Sequence, residues 1–219
     1  MKEVIIFGTG DIAQIANYYF EIDSEYKVVA FTVNKEYIKN PVFEDKPVIA
    51  FETIQDEFPP DKFDMFVALS YSKMNKIREE KYHQSKEKGY KLISYISSKC
   101  SYMSQFDCGD NCFIFEDNTI QPFVKIGNNV TLWSGNHIGH HSVIHDHNFI
   151  SSHVVISGHC EIDNNCFIGV NATLHNNVKL AKETLIAAGA IVNKNTKEKN
   201  VILPSKSILF DKKSDEINF

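Results

Sequence analysis

Residues 115–192 read FEDNTI QPFVKI GNNVTL WSGNHI GHHSVI HDHNFI SSHVVI SGHCEI DNNCFI GVNATL HNNVKL AKETLI AAGAIV, and every sixth residue is aliphatic. Headed by Ile114, the series runs Ile120, Ile126, Leu132, Ile138, Ile144, Ile150, Ile156, Ile162, Ile168, Leu174, Leu180, Ile186 and Val192 without a miss. The residue two places earlier is small or slim each time: Cys112, Asn118, Val124, Val130, Asn136, Ser142, Asn148, Val154, Cys160, Cys166, Ala172, Val178, Thr184 and Ala190. Side chains two apart on a strand share a face, so both series point the same way. A short fixed period of this kind marks a stacked β-solenoid. The aliphatics fill a narrow prism, and the slim residues sit where its walls close in.

Six residues on each of three walls make eighteen residues per coil. Each coil rises about 4.8 Å, the spacing of paired strands. The residue just before each inward aliphatic faces outward. One wall then reads Phe113, Thr131, Phe149, Phe167 and Leu185, an apolar column too large to stay wet on a soluble monomer. The others read Thr119, His137, Val155, Thr173, Ile191 and Lys125, Val143, Glu161, Lys179, which are more polar. A single apolar wall on a three-sided prism predicts closed cyclic association of copies. The competing account is cover by another part of the same chain.

The chain of 219 residues has room for two domains of about 100 residues each. The period divides it into residues 1–97, the repeats at 98–195, and a polar loop and tail at 196–219. Net charge is −5 with no basic stripe, which argues against a nucleic-acid partner. No apolar stretch approaches the ~20 residues that span a bilayer. The opening Met1-Lys2-Glu3-Val4-Ile5-Ile6 has no signal-peptide layout, so a cytoplasmic chain is expected. The five cysteines, Cys100, Cys108, Cys112, Cys160 and Cys166, are odd in number and lack a CxxC pair. A disulfide frame or structural zinc site is therefore not expected.

Ahead of the repeats, apolar runs at 3–7, Lys27–Val33, Asp64–Leu69 and Lys91–Ile96 read as strands, and residues 11–21 and 73–88 as helices. Their alternation predicts an α/β unit with a parallel sheet, Rossmann-like in outline. Gly8-Thr9-Gly10-Asp11-Ile12-Ala13 follows the first strand and opens the first helix. Such a G-x-G-x-x-A turn lets backbone approach a phosphate at a helix N-terminus, although the same turn also occurs with no ligand. The acidic residue expected for ribose at the end of the second strand is missing; that strand ends Thr32-Val33-Asn34. A mononucleotide diphosphate therefore fits better than NAD. Ser70 and Tyr71 lie on the same carboxyl edge, with Asn75 and Arg78 opening the next helix. Together these residues make a candidate sugar-nucleotide site.

Eight of the nine histidines fall between His137 and His175, and none is at an inward position. His141 and His159 are eighteen apart and should stack. Two stacked histidines without carboxylates do not make a metal column, and no metal is expected.

The repeats, over about residues 100–195, resemble the hexapeptide-repeat acyltransferases, which implies a left-handed parallel β-helix. The stretch from Trp133 to Ser142 resembles the active-site coil of bacterial nucleotide-sugar acetyltransferases, in which an α/β sugar-nucleotide domain precedes the β-helix. That resemblance covers nearly the whole chain and places the catalytic base at His140, with His141 as its rival. Members of that family often carry a carboxylate just before the base, where this chain has Gly139. Something else must orient the ring: Asn118, Asn136 or a residue of a neighbouring chain. The resemblance also implies that acetyl-CoA is the co-substrate, lying against Phe149, Gly169, Val170, Ala187, Ala188 and Lys206, and that the chain forms a homotrimer.

The expected function is acetyl-CoA-dependent N-acetylation of a nucleotide-linked amino-deoxysugar, of the 4-amino-4,6-dideoxy class, for surface glycan biosynthesis. O-acetylation of a sugar of the sialic-acid type is the enzymatic alternative. A non-catalytic nucleotide-sugar-binding scaffold is the alternative of another class.

Overall fold

The computed structural model describes residues 2–207, 209, 211 and 213. The amino-terminal unit runs β1 (Lys2–Phe7), α1 (Asp11–Ile22), β2 (Tyr26–Val33), β3 (Val42–Phe43), β4 (Lys46–Ala50), α2 (Ile54–Glu57), β5 (Asp64–Val67) and α3 (Lys76–Glu87). Its sheet has the order β3-β4-β2-β1-β5 and is parallel except for β3. The near-continuous apolar runs of β1 and β2 suit strands covered on both faces, and Val4, Ile5, Ile6, Ala30 and Phe31 are wholly buried. The hairpin of β3 and β4 gives no clear sequence signal. Its apolar run is only Val48 to Ala50, and Pro47 interrupts the period.

The strand expected over Lys91–Ile96 does not form as one element. Leu92 bridges Met65 beside β5, whereas Tyr95–Ile96 pairs with Phe113–Ile114 of the repeats. This stretch hands the chain from one sheet to the other without a linker.

From there the chain winds as a three-walled parallel β-helix, consistent with the left-handed form expected. Lys125 pairs with Val143, Thr131 with Phe149 and His137 with Val155, one coil of eighteen residues apart on each wall. Every residue of both inward series is buried. Each aliphatic contributes about 1.5–3 kcal/mol of burial, which makes the prism interior the main source of cohesion in this half.

The apolar wall is not an exposed surface. It belongs to a seven-stranded sheet, here termed the docked wall, which the amino-terminal unit covers from Phe113 to Phe167, leaving Val201 at its far end exposed. Phe113 sits among Tyr19, Phe66, Tyr95 and Phe115. Phe149 and Phe167 pack on Tyr71 at ring separations of 5.0 and 4.6 Å. The column therefore gives no support to association of copies, because an intramolecular partner removes it from water. What remains exposed is a neutral wall, carrying Val155 and Ile191, and a charged wall, carrying Lys125 and Lys179.

Polar groups fix the docking. Arg78 is buried, and its Nη2 donates to the carbonyls of Asn129, His147 and Asn148 at 3.3, 3.2 and 3.0 Å. Burial pushes its pKa down to about 9. Asn75 is likewise buried and donates from Nδ2 to the Cys166 carbonyl. A ladder of left-handed corner residues, one per coil, continues the seam. The Val67 N–H donates to Asn111 Oδ1, Asn111 Nδ2 donates to Asn129 Oδ1, and Asn129 Nδ2 lies 2.9 Å from His147 Nδ1.

His147 is thus an exception to the outward histidines: it is buried between α3 and the prism. Burial holds its pKa down at about 4, and the donated Asn129 amide also favours the neutral ring. The unfolded state, with His near 6.5, binds the extra proton first as pH falls. Stability should therefore fall with pH between about 6.5 and about 4. Urea midpoints across that window should fall, and His147→Asn should flatten the dependence. An unchanged slope in the variant removes His147 from the account.

Candidate functional site

Three regions carry the candidate residues. The first is the edge between the neutral and charged walls, where His140 and His141 follow the strand His137–Ile138. Both rings are exposed, and their Nδ1 atoms lie 3.0 Å apart. The His140 backbone N–H donates to Gln121 Oε1. His141 has φ of 59°, in a corner column with Phe123, His159 and Asn177, all left-handed. Its ring packs on Phe123 and stacks on His159, with centroids 4.6 and 4.8 Å away. Partial desolvation and the His159 and His140 rings hold His141 below the ordinary imidazole pKa, which favours a neutral ring.

Gly139 has a steric reason. A Cβ there would meet Gly158 N and Ser157 C at 2.6 Å. The coil below leaves no room for a carboxylate, and Gly158 in turn makes room for the His140 ring. Asn118 and Asn136 do not reach the histidines. Both are inside the prism, where Asn118 Nδ2 donates to the Phe115 and Trp133 carbonyls and its Oδ1 accepts from the Asn136 N–H. The contact on His140 Nδ1 within the chain is the adjacent ring, His141.

The second region is the glycine turn. Gly10, Asp11 and Ile12 line one pocket of about 300 Å³ together with Ala68, Leu69, Ser70 and Tyr71. Gly10 is the N-cap of α1 and a Cβ there would meet nothing within 4 Å. Gly8 differs: its φ is 129°, and a Cβ would lie 2.7 Å from the Ala68 carbonyl oxygen, so glycine is required by packing. Ala13 is buried beneath it. Thr9 lines a separate pocket with Ile38 and Phe43. Thr32 is buried and donates to the Ile49 carbonyl, so it faces the sheet rather than a ligand. Asn75 and Arg78 are spent on the docking seam. A residue missed in the sequence is Glu52, whose carboxylate accepts from Asn34 Nδ2 at 2.9 Å and from the Lys35 N–H. It brings an acid to the end of β2 from the turn that follows β4, a pairing that no local motif announces.

The third region is the edge between the docked and neutral walls, where residues 169–170 and 187–188 form successive corners. Val170, Ala188 and Lys206 are exposed, and Ala187 is half-buried. Gly169 is buried, and a Cβ there would lie 2.6 Å from Ala188 N, so the close passage of the next coil requires glycine. Phe149 is not on this surface; it is buried on the docked wall, with the Arg78 guanidinium 5.6 Å above its ring. Further along the same edge a cleft of about 560 Å³ opens between α1 and the prism, lined by Tyr18, Tyr19, Phe115, Trp133 and three carboxylates, Glu21, Glu44 and Glu116. That acidic rim is unsuited to a diphosphate.

Known proteins match this architecture. A family model described as bacterial transferase hexapeptide (six repeats) matches residues 123–158 and 141–176. Among curated protein sequences none matches the chain. The acetyltransferase domain of PglB from Neisseria gonorrhoeae superimposes with a TM-score of 0.82 at 17% identity, over 94% of this chain and 100% of that one. Its complex with acetyl coenzyme A gives 0.80 at 17% identity, over 93% and 99%. A mutant of perosamine N-acetyltransferase from Caulobacter crescentus, in complex with CoA and GDP-perosamine, gives 0.79 at 16% identity, over 92% and 93%. At these identities the likeness shows a shared two-part fold.

Proposed function

We propose that the protein is an acetyl-CoA-dependent N-acetyltransferase acting on a nucleotide-linked amino-deoxysugar, of the 4-amino-4,6-dideoxy class, with His140 as general base. The carrying observation is the contact of 3.0 Å between the two Nδ1 atoms of His140 and His141. Two ring nitrogens at that distance share one proton. In this assignment His141 accepts at Nδ1, so His140 carries its proton on Nδ1 and keeps the Nε2 lone pair for the substrate. His141 then does what the missing carboxylate does in related chains: it fixes the tautomer.

In the proposed reaction the sugar amine attacks the thioester carbonyl. The C–S bond breaks, the amine proton passes to His140 Nε2, and the coenzyme A thiolate leaves and recovers that proton. No cysteine is required, and the inward Cys112, Cys160 and Cys166 are buried in any case.

The amino-terminal residues 1–97 form the acceptor domain in this scheme. Strand order β4-β2-β1-β5 with Leu92 beyond β5 supports a Rossmann-like class. Residues 98–195 are the transferase domain, a left-handed β-helix, and 196–219 the terminal loop and tail. Solved relatives of the same fold hold acetyl coenzyme A, or CoA with GDP-perosamine. Val170, Ala187, Ala188 and Lys206 are assigned to the coenzyme. Within one chain Val170, Ala187 and Ala188 occupy a different prism edge from His140, and the docked wall lies opposite the His140 edge. A complete site therefore calls for a second copy, and a homotrimer joined through the neutral wall supplies one. No helix among the described residues is long and apolar enough to cross a membrane. With acetyl-CoA as donor, the place of action is the cytoplasm.

Release of free thiol from acetyl-CoA, assayed against UDP-, dTDP- and GDP-linked 4-amino-6-deoxy sugars, tests the function. Turnover with a hydroxyl acceptor alone would favour O-acetylation, and no turnover with any acceptor would favour a scaffold. The glycine turn makes a second expectation. Gly10→Leu has open space and should fold as the parent does. Its side chain stands where a diphosphate would meet the α1 N-terminus. The KM for the sugar nucleotide should rise while that for acetyl-CoA holds. If both rise, or neither does, the turn is not the acceptor site.

A further inference from the structure

The His140 edge carries a third imidazole that the acetyl-transfer scheme leaves unused. His140, His141 and His159 each present one ligand nitrogen within 4.8 Å of the others, and all three are exposed. The sequence suggests only a stacked pair; the third member arises because the His140 ring lies across Gly158 and meets His159 edge-on, with centroids 5.1 Å apart. The arrangement is held by backbone. His141 and His159 occupy the same left-handed corner in successive coils, both at φ of 59°. The strands before them are locked by the pairing of Ile138 with Ile156.

We propose that this trio is an inhibitory site for a divalent transition-metal ion, zinc foremost. Neutral imidazole nitrogens at about 2.0–2.1 Å are preferred zinc ligands, and three of them leave a fourth position open to water. An all-nitrogen set without oxygen ligands selects against magnesium and calcium. Binding disables the base whichever nitrogen of His140 is used. A metal on Nε2 occupies the lone pair that takes the amine proton. A metal on Nδ1 displaces the hydrogen bond with His141 and moves the ring proton to Nε2, which then has no lone pair to offer. The inhibitory half of this proposal rests on His140 being the base; the binding half does not.

A second grouping, Glu79, His83 and His147, also has ligand atoms within 4.8 Å of one another. There His147 Nδ1 is engaged by Asn129, and the buried Arg78 guanidinium lies in the same seam. A cation is disfavoured beside that fixed positive charge.

Equilibrium dialysis against zinc chloride, with bound metal counted by mass spectrometry, separates the possibilities. Three proteins are compared: the parent, His159→Asn and His83→Asn. Asparagine keeps the left-handed corner at low strain, and matching melting temperatures verify the fold. The parent and His83→Asn should bind one zinc per chain. His159→Asn should bind at least roughly 10–100-fold more weakly, since even outer-shell changes have effects of that size. Titration with cobalt(II) should give the strong visible absorption of a tetrahedral site in the parent and lose it in His159→Asn. In the thiol-release assay, zinc should inhibit the parent and leave His159→Asn, each measured against its own metal-free rate, largely unaffected. Equal zinc affinity in the parent and His159→Asn overturns the site. Absence of turnover in every protein overturns the inhibitory role together with the proposed function, and the dialysis result then stands alone for the site.

Discussion

His140→Asn should lower kcat by roughly 10²–10⁴-fold, the usual contribution of a positioned general base. The melting temperature should not move, because the ring is exposed and its place over Gly158 is filled by a smaller side chain. His141→Asn should behave differently. It removes the acceptor that fixes the His140 tautomer, not the base itself, so the loss should be smaller and the pH profile of kcat/KM should shift. Single-turnover rates of acetyl transfer for both variants decide the matter. If His140→Asn keeps near-full rate while His141→Asn loses it, the two roles are reversed. If neither loses rate, the edge is not the catalytic one.

Phe113→Asp should prevent stable folding. Phe113 is buried on the docked wall among the rings of Tyr19, Phe66, Tyr95 and Phe115. Removing the ring alone costs about 3–5 kcal/mol. A carboxylate without a partner adds several more, and the sum approaches the whole stability of a typical domain, about 5–15 kcal/mol. The choice of position matters. An aspartate at Phe149 would lie near the Arg78 guanidinium and find a counter-ion, whereas two of the rings around Phe113 already donate to carboxylates, Tyr95 to Asp23 and Tyr19 to Glu116, whose charges would oppose it. Circular dichroism and urea titration read the effect, with Phe113→Ala as the graded control. A Phe113→Asp protein that unfolds at the parent's urea midpoint would refute the docking account and return this wall to association between copies.

The repeats were legible because one period runs unbroken through them, and an inward position in a narrow prism tolerates few residue types. The cover over Phe113 and Phe149 was not legible for the opposite reason. An outward apolar column shows that something must cover it, but Tyr19, Phe66, Tyr71 and Tyr95 are scattered through the first unit at no period. The same gap explains Arg78 and Asn75. A residue opening a helix at the carboxyl edge of a sheet is a fair ligand candidate until a second domain is found packed there. His140 and His141 were legible as neighbours in the chain. That their Nδ1 atoms touch, and that His159 joins them, depends on the close passage of Gly139 over Gly158.

The eighteen-residue register seen in the pairing of Val143 with Glu161 and of Glu161 with Lys179 also makes length a discrete property of this chain. A single inserted residue within a coil would turn inward aliphatics outward in every strand up to the next corner able to absorb it. Duplication of one whole coil would add about 4.8 Å and leave every wall, edge and corner in phase. Genetic drift in this half of the protein is therefore expected to proceed in whole turns. The distance from the His140 edge to the end of the prism can change stepwise without disturbing either.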